Sequence, residues 1–266
     1  MAIVLALPMR GYSQEAQPPP PAPAKESPPT PGTAAQPGPV MEQPALDELK
    51  RMSTALSAAK AFTCKTRSAV EVSAPKTGQF ITLLGSSEVK MQRPNKLRVH
   101  VTGEVPNFDF YYDGTNIVAY APQNKVYSIT KAPGTIDEML KALEEKTGIQ
   151  LPAADMLFSD PYAELTNGLT SAFVVGKFTA DGVPCEHLAF MNPGIHWEVW
   201  VDAGKTALPQ RLAVTYADVQ NFPRRLVAFS DWNLQPNLTD SDFVFQKPSD
   251  AKQIEFPSPT GRQQGR

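Results

Sequence analysis

The chain has 266 residues, 41% of them hydrophobic, and a formal net charge of -2. That is apolar material for one medium domain, or two small ones, with a real core. With 25 Lys and Arg against 27 Asp and Glu there is no basic footprint, and a nucleic-acid partner is not expected.

The N-terminus reads MAIVLALPMRGYSQEA. Residues 2–9 are apolar, and Gly11 and Ser13 are small residues at signal-peptidase spacing, so residues 1–13 read as a signal peptide cut after Ser13. The run is too short to span a bilayer, which takes about 20 residues. The basic segment that normally precedes such a run is missing. Either translation starts upstream or the run is a chance apolar start; export to the periplasm is the expectation. Residues 14–43 follow as a linker. Between 17 and 40 it holds ten prolines and no large apolar residue except Val40. Such a stretch buries too little to offset its ordering entropy, so it is expected to be disordered and partly polyproline. Residues 257–266 read as a second disordered tail, leaving 44–256 as the folded domain.

That domain opens with PALDELKRMSTALSAAKAF. Pro44 suits a first helical position, and Leu46, Leu49, Met52, Leu56 and Phe62 recur at roughly helical spacing. The period then becomes two. SAVEVSA, QFITLLGSSEVKMQR with a bend at Gly85, KLRVHVTG, DFYYDGTNIVAYAP turning at Asp113-Gly114, and KVYSITKA give six strands in an antiparallel meander. In KLRVHVTG, Leu97, Val99 and Val101 share one face, and Lys96, Arg98 and His100 the other. A helix follows in GTIDEMLKALEEKTG, with a Thr135/Glu138 capping box and Gly148 as its stop. Pro152 to Leu169 predicts one or two short helices interrupted at Asp160-Pro161, too apolar for a free surface. Strands resume in SAFVVGKFTADGVPCEHLAF, turning at Asp181-Gly182, and in IHWEVWVDAGKTALPQRLAVTY, turning near Gly204. RRLVAFSDWNL and SDFVFQKP complete the set. About eleven strands are too many for one flat open sheet, so the sheet is expected to curl into a barrel or half-barrel with helices across its mouth.

The one dense patch of reactive residue types is GVPCEHLAFMNPGIHWEVWVD, with Cys185, His187 and His196. A catalytic thiol needs a base and a group to orient it, and zinc usually takes three or four ligands. This spacing supplies neither, so a packed thiol beside ordinary histidines is the expectation; Cys/His catalysis is the minor alternative. Cys64 and Cys185 fit either a disulfide, in an exported protein, or two buried thiols. No phosphate-binding loop, dinucleotide fingerprint or nucleophile elbow occurs, and no enzyme activity or cofactor is expected. What remains is apolar surface. Phe108, Phe110 and Tyr112 share one strand face; Trp197, Val199 and Val201 share another, with Trp200 opposite; Phe229, Phe243 and Phe245 lie on the last strands. Such faces enclose either a solid core or a cavity for an apolar ligand, and periodicity does not separate the two.

Three phrases, KMQRPNKLRVHV, FYYDGTNIVAYAPQNKVYSI and SDFVFQKPSDA, in this order after a leading helix, resemble the periplasmic lipoprotein-carrier superfamily with the LolA/LolB-like fold. Within it, GVPCEHLAF, WEVWVD and ALPQRLAVTY make the chain similar to a bacterial family of predicted periplasmic proteins, over about residues 45–250. The resemblance implies an eleven-stranded, half-open antiparallel barrel whose apolar concave face is covered by helices. It also implies export, and a carrier or sensor of acyl chains rather than an enzyme. The arginine with which lipoprotein carriers hold their lid has no assigned counterpart here; Arg93, Arg98, Arg211, Arg224 and Arg225 are candidates by residue type alone. On this reading the ligand is lined by Leu97, Val99, Phe110, Tyr112, Leu188, Phe190, Trp197, Val199, Leu212 and Val214 from the sheet. Leu140, Leu143, Met156 and Phe158 line it from the lid. The expected partner is a hydrophobic ligand, an acyl chain, lipid or lipoprotein, held by a monomer. The alternative is an envelope interaction or stress-sensing module with a filled core, reaching an envelope protein through the proline-rich linker.

Overall fold

The computed structural model describes residues 38–256 except Pro75, Pro106, Pro133 and residues 148–152. The signal peptide, most of the linker, the Gly148 helix stop and the C-terminal tail lie outside the described residues. Helix α1 (Gln43–Ala58) leads into β1 (Ala61–Ser73), β2 (Phe80–Gln92), β3 (Lys96–Gly103), β4 (Phe108–Tyr112), β5 (Asn116–Ala121) and β6 (Val126–Lys131). Helix α2 (Ile136–Thr147), a 3₁₀ turn (Ala154–Leu157) and α3 (Pro161–Thr166) follow. The second run of strands is β7 (Ser171–Ala180), β8 (Val183–Asn192), β9 (Ile195–Asp202), β10 (Pro209–Tyr216) and β11 (Arg224–Asn233). A second 3₁₀ turn (Asp240–Phe243) and the two-residue β12 (Lys252–Gln253) close the chain.

All twelve strands form one sheet in the order β12-β6-β5-β4-β3-β2-β1-β11-β10-β9-β8-β7. Every pairing is antiparallel except β12 with β6. The two runs of strands join through the long β1, which pairs with β2 on one side and β11 on the other. The end strands β12 and β7 do not pair with each other, so the curled sheet is an open half-barrel.

Local chemistry sets the turns. At Asp181-Gly182 both residues have positive φ, 49° and 84°, which matches the twist of a tight hairpin between β7 and β8. Asp113 Oδ1 accepts from the Thr115 and Asn116 amides, both at 2.8 Å, and fixes the β4–β5 hairpin. Gly103 ends β3 with φ 131°, and a Cβ there would stand 2.4 Å from the Leu84 carbonyl oxygen. Beyond that point β2 continues without β3, and the β1–β2 hairpin projects past its neighbours. The Thr135/Glu138 box is present: the Glu138 amide donates to Thr135 Oγ1, and the Thr135 amide donates to Glu138 Oε2, both at 3.2 Å.

One hydrophobic cluster fills the concave side. Leu49, Met52 and Leu56 of α1 are fully buried in it, each worth roughly 1.5–3 kcal/mol of burial.

Several sequence expectations need correction. Helix α1 ends at Ala58, and Phe62 belongs to β1, which starts at Ala61 rather than Ser68. Thr and Cys blur the alternation there, although Phe62 and Cys64 are buried while Lys65 is exposed. The linker does not extend to residue 43: the Val40 carbonyl accepts from the Ala172 amide at 2.7 Å, and helix α1 already starts at Gln43. SDFVFQKP is not a strand. Thr239 and Asp242 cap each other across a 3₁₀ turn, and Pro236 and Pro248 bound the segment. This segment straps the convex face, with Asp242 on Lys90 at 2.6 Å and Phe245 ringed by Tyr111, Tyr120 and Tyr127 at 5.3–5.6 Å. The strand count is twelve rather than eleven, because β12 is too short to show a period.

Candidate functional site

The residues expected to line a ligand do share one face. Cross-strand register brings them together: Leu97 lies opposite Tyr112, Val99 opposite Phe110, Leu188 and Leu212 opposite Val199, and Phe190 and Val214 opposite Trp197. Thirteen of the fourteen are buried, and Val214 packs on the same cluster. Leu140, Leu143, Met156 and Phe158 come down on them from α2 and the first 3₁₀ turn. Phe190 and Trp197 stack at 4.1 Å, and the indole N–H is satisfied by Asn192 Oδ1 at 2.9 Å. Leu97, Tyr112, Leu188 and Val199 are 0% exposed, so protein atoms cover them on every side. Helix α1 and the short helices occupy the concave face.

The helical layer is fastened at several points: Arg51 of α1 donates to the Gly204 and Asp202 carbonyls at 2.8 and 2.7 Å, and a second arginine holds the short helices. Arg93, in the β2–β3 turn, donates from Nη1 to the Leu157 carbonyl at 3.0 Å and from Nη2 to the Phe158 carbonyl at 2.9 Å. These are backbone acceptors of the lid itself. The neighbouring Pro94 carbonyl accepts the first amide of α2, Ile136 N, at 2.8 Å. Asp137 accepts from the Ser159 amide at 2.9 Å. Burial lowers the Arg93 guanidinium from its ordinary value, and Asp137 opposes the shift. Of the arginines considered, only Arg93 holds the lid. Arg98 lies 5.0 Å over the Tyr111 ring, Arg211 pairs with Asp181, and Arg224 pairs with Glu198. Arg225 pairs with nothing described.

Stretch 182–202 divides between the two faces by alternation. Leu188, Phe190, Trp197, Val199 and Val201 point into the core; His187 and Trp200 point out. The His187 ring stacks on Trp200 at 3.9 Å and meets Phe178 edge-on at 5.5 Å. Its Nε2 lies 3.0 Å from Glu198, whose other oxygen accepts from Arg224 at 2.8 Å. Burial lowers the His187 pKa, and the bond to Glu198 only partly offsets this. Cys185 is buried, donates weakly to the Val183 carbonyl at 3.3 Å, and burial pushes its thiol pKa up. His196 is exposed. Among the described residues no group of three or more His, Cys, Asp and Glu is placed to hold a metal.

The possible Cys64–Cys185 disulfide is corrected: both thiols are free and buried. Cys64 sits on β1 and Cys185 on β8, with β11, β10 and β9 between them. At about 4.8 Å per strand they stand roughly 19 Å apart along the sheet, beyond any disulfide's reach. Burial lifts the Cys64 thiol to about 12.

The convex face carries a charged hollow of about 320 Å³ lined by Glu88, Lys90, Arg98, His100 and Asp109, with His100 Nδ1 2.6 Å from Asp109. It is polar and faces away from the apolar surface.

The folded part, residues 45–257, matches the family described as Predicted periplasmic protein (DUF2092). The chain belongs to this family. Its compartment is therefore the periplasm. No curated protein matches it. Among solved structures, the chain is similar to an uncharacterized conserved protein from Thermus thermophilus, at 12% identity and TM-score 0.47, over 80% of this chain and all of that one. It is similar to the lipoprotein LppX of Mycobacterium tuberculosis at 15% identity and TM-score 0.47, over 74% of this chain and all of that one. It is similar also to a LolA superfamily protein from Nitrosomonas europaea at 11% identity and TM-score 0.39, over 76% of this chain and 97% of that one.

Proposed function

We propose that this periplasmic protein is a non-enzymatic binder or carrier of a hydrophobic chain, an acyl chain, lipid or lipoprotein, which it takes up as a monomer on the concave face when the lid moves aside. The observation that carries the reading is the lid itself. A short apolar helical layer covers a continuous apolar strand face and is tied down at few points, Arg93 on the Leu157 and Phe158 carbonyls and Arg51 of α1 on the Asp202 and Gly204 carbonyls among them. A layer held by side-chain burial and a handful of hydrogen bonds, none of them part of the strand ladders, can open without breaking the sheet. A guest chain gains about 0.8 kcal/mol per buried CH₂, so ten methylenes supply several kcal/mol against the cost of displacing the helices. The role needs no cofactor and no nucleophile. Cys185 and His187 fit this: each is occupied by structural contacts outside the apolar face.

Native mass spectrometry of the protein purified from its own envelope tests the proposal. Co-purified acyl species, together with uptake of a fluorescent fatty acid, are the expected result. Reproducibly bare protein without uptake would remove the carrier role.

The complete coverage of Leu97, Tyr112, Leu188 and Val199 favours a second reading, an envelope interaction or stress-sensing module whose interior is its own side chains. There the proline-rich segment supplies reach to a partner. Deleting residues 14–37 then abolishes partner pull-down, whereas a carrier keeps its ligand after the same deletion.

A further inference from the structure

We infer that Arg225 anchors the anionic head, carboxylate or phosphate, of an apolar chain at the mouth of the concave face. This rests on the proposed uptake of such a chain and names its chemical class. Arg225 lies two residues from Val227 and four from Phe229, both in the core, with no register break between Arg225 and Phe229, so its side chain leaves the same face. Its strand neighbours on that face are Val214 and Val70, and theirs are Trp197 and Leu83. One guanidinium thus sits in the middle of a five-strand apolar row, near the end where the β1–β2 hairpin projects.

Among the described residues Arg225 has no hydrogen-bond or ion-pair partner: its Nε is buried without an acceptor, as in Arg93, but unlike Arg93 its terminal nitrogens are unpaired too. The nearby carboxylates are on the other face and engaged: Glu198 accepts from the Arg224 side chain at 2.8 Å, and Glu71 from the Arg224 backbone amide at 2.8 Å. A buried donor with no acceptor is destabilising, and a fork-shaped cation is matched best by a planar or tetrahedral oxyanion. Arg225 as a whole is only half-buried, so its outer nitrogens remain reachable from the mouth. A ligand that places its oxyanion there lays its chain over Val214 and Trp197 toward Leu212 and Phe190. The bland alternative is an arginine whose stem covers Val70 and Val214 while its head stays in water.

Binding of four probes to the full chain separates these: dodecanoate, dodecyl phosphate, dodecanol and inorganic phosphate, each by calorimetry at neutral pH. The anchor predicts that at least one of the two anionic amphiphiles binds ten- to a hundred-fold tighter than dodecanol, about the range of a charged hydrogen-bonded contact. Arg225→Gln brings that amphiphile down to the level of dodecanol, and Arg225→Lys recovers part of the preference. The ranking of the two names the head group. Dodecanol binding as tightly as both anions, or an Arg225→Gln variant that keeps the preference, overturns the anchor and leaves uptake of apolar chains standing. Inorganic phosphate binding as tightly as dodecyl phosphate overturns the amphiphile in favour of a free-anion site. If none of the four binds, the uptake reading falls first and the anchor with it. The probe series on the unaltered chain keeps the test valid should the variants fold poorly.

Discussion

Two arginines mark two ends of the concave face; each has a buried Nε without an acceptor, and they differ in their terminal nitrogens. Arg93 commits its guanidinium to the lid, through the carbonyls of Leu157 and Phe158. Arg225 lies among Val70, Val214 and Trp197, and its guanidinium engages nothing described. Around the first end the apolar residues are sealed, with Leu97 and Tyr112 at 0% exposure; around the second, Val214 and Val70 are only partly buried. On the proposed function, the first end is the fastening and the second the doorway.

The comparison can be broken most severely by cavity mutations. Leu188→Ala, in the sealed region, is expected to cost about 3 kcal/mol of unfolding free energy. Val214→Ala, near the mouth, is expected to cost roughly 1 kcal/mol. Urea titration checks both, and equal costs would mean that the two ends are packed alike. Next comes the latch. Arg93→Gln should weaken lid closure by about 2 kcal/mol, seen as faster amide exchange over residues 154–158 with the sheet unchanged.

A smaller effect follows pH. Burial lowers the His187 pKa in the folded protein, so the unfolded chain binds more protons as the solution is acidified. The stability that His187 contributes is complete above its ordinary value of 6.5 and is lost as pH falls through the lower folded value. The wild type should therefore lose more stability than His187→Gln between pH 7 and pH 5, by thermal unfolding across that range. No change is expected from reductant: with Cys64 and Cys185 free, dithiothreitol leaves the melting temperature where it was, and both thiols react only on unfolding.

Much of this was legible in the residues. Alternation placed Leu97, Val99, Phe110, Tyr112, Trp197 and Val199 on the core face correctly: β3 and β9 alternate cleanly in burial, and β4 keeps its apolar face although Asp109 behind it is also buried. The Asp-Gly hairpins and the Thr135/Glu138 box stood where their side chains put them, since such signals are local. The misses have physical causes too. Thr63 and Cys64 carry too little polarity contrast to reveal the start of β1. Phe243 and Phe245 look like strand residues, but Thr239 and Asp242 cap a turn first. Asp242 is held at about 2 mainly by its bond from Lys90, a contact 152 positions away that no local pattern announces. The orientation of Arg225 was available, since Arg225, Val227 and Phe229 keep one period. The latch role of Arg93 was not, because it depends on where the lid lands.

The proposed function requires an apolar chain to occupy the concave face beside Trp197. The chain has three tryptophans, and Trp200 faces the opposite side. In a Trp200→Phe, Trp232→Phe variant, Trp197 fluorescence reports that face alone. Titration with dodecanoate brominated along its chain should quench it saturably while the protein stays folded. Emission that stays unchanged up to the solubility limit of the probe, or falls only as the protein unfolds, would contradict the account.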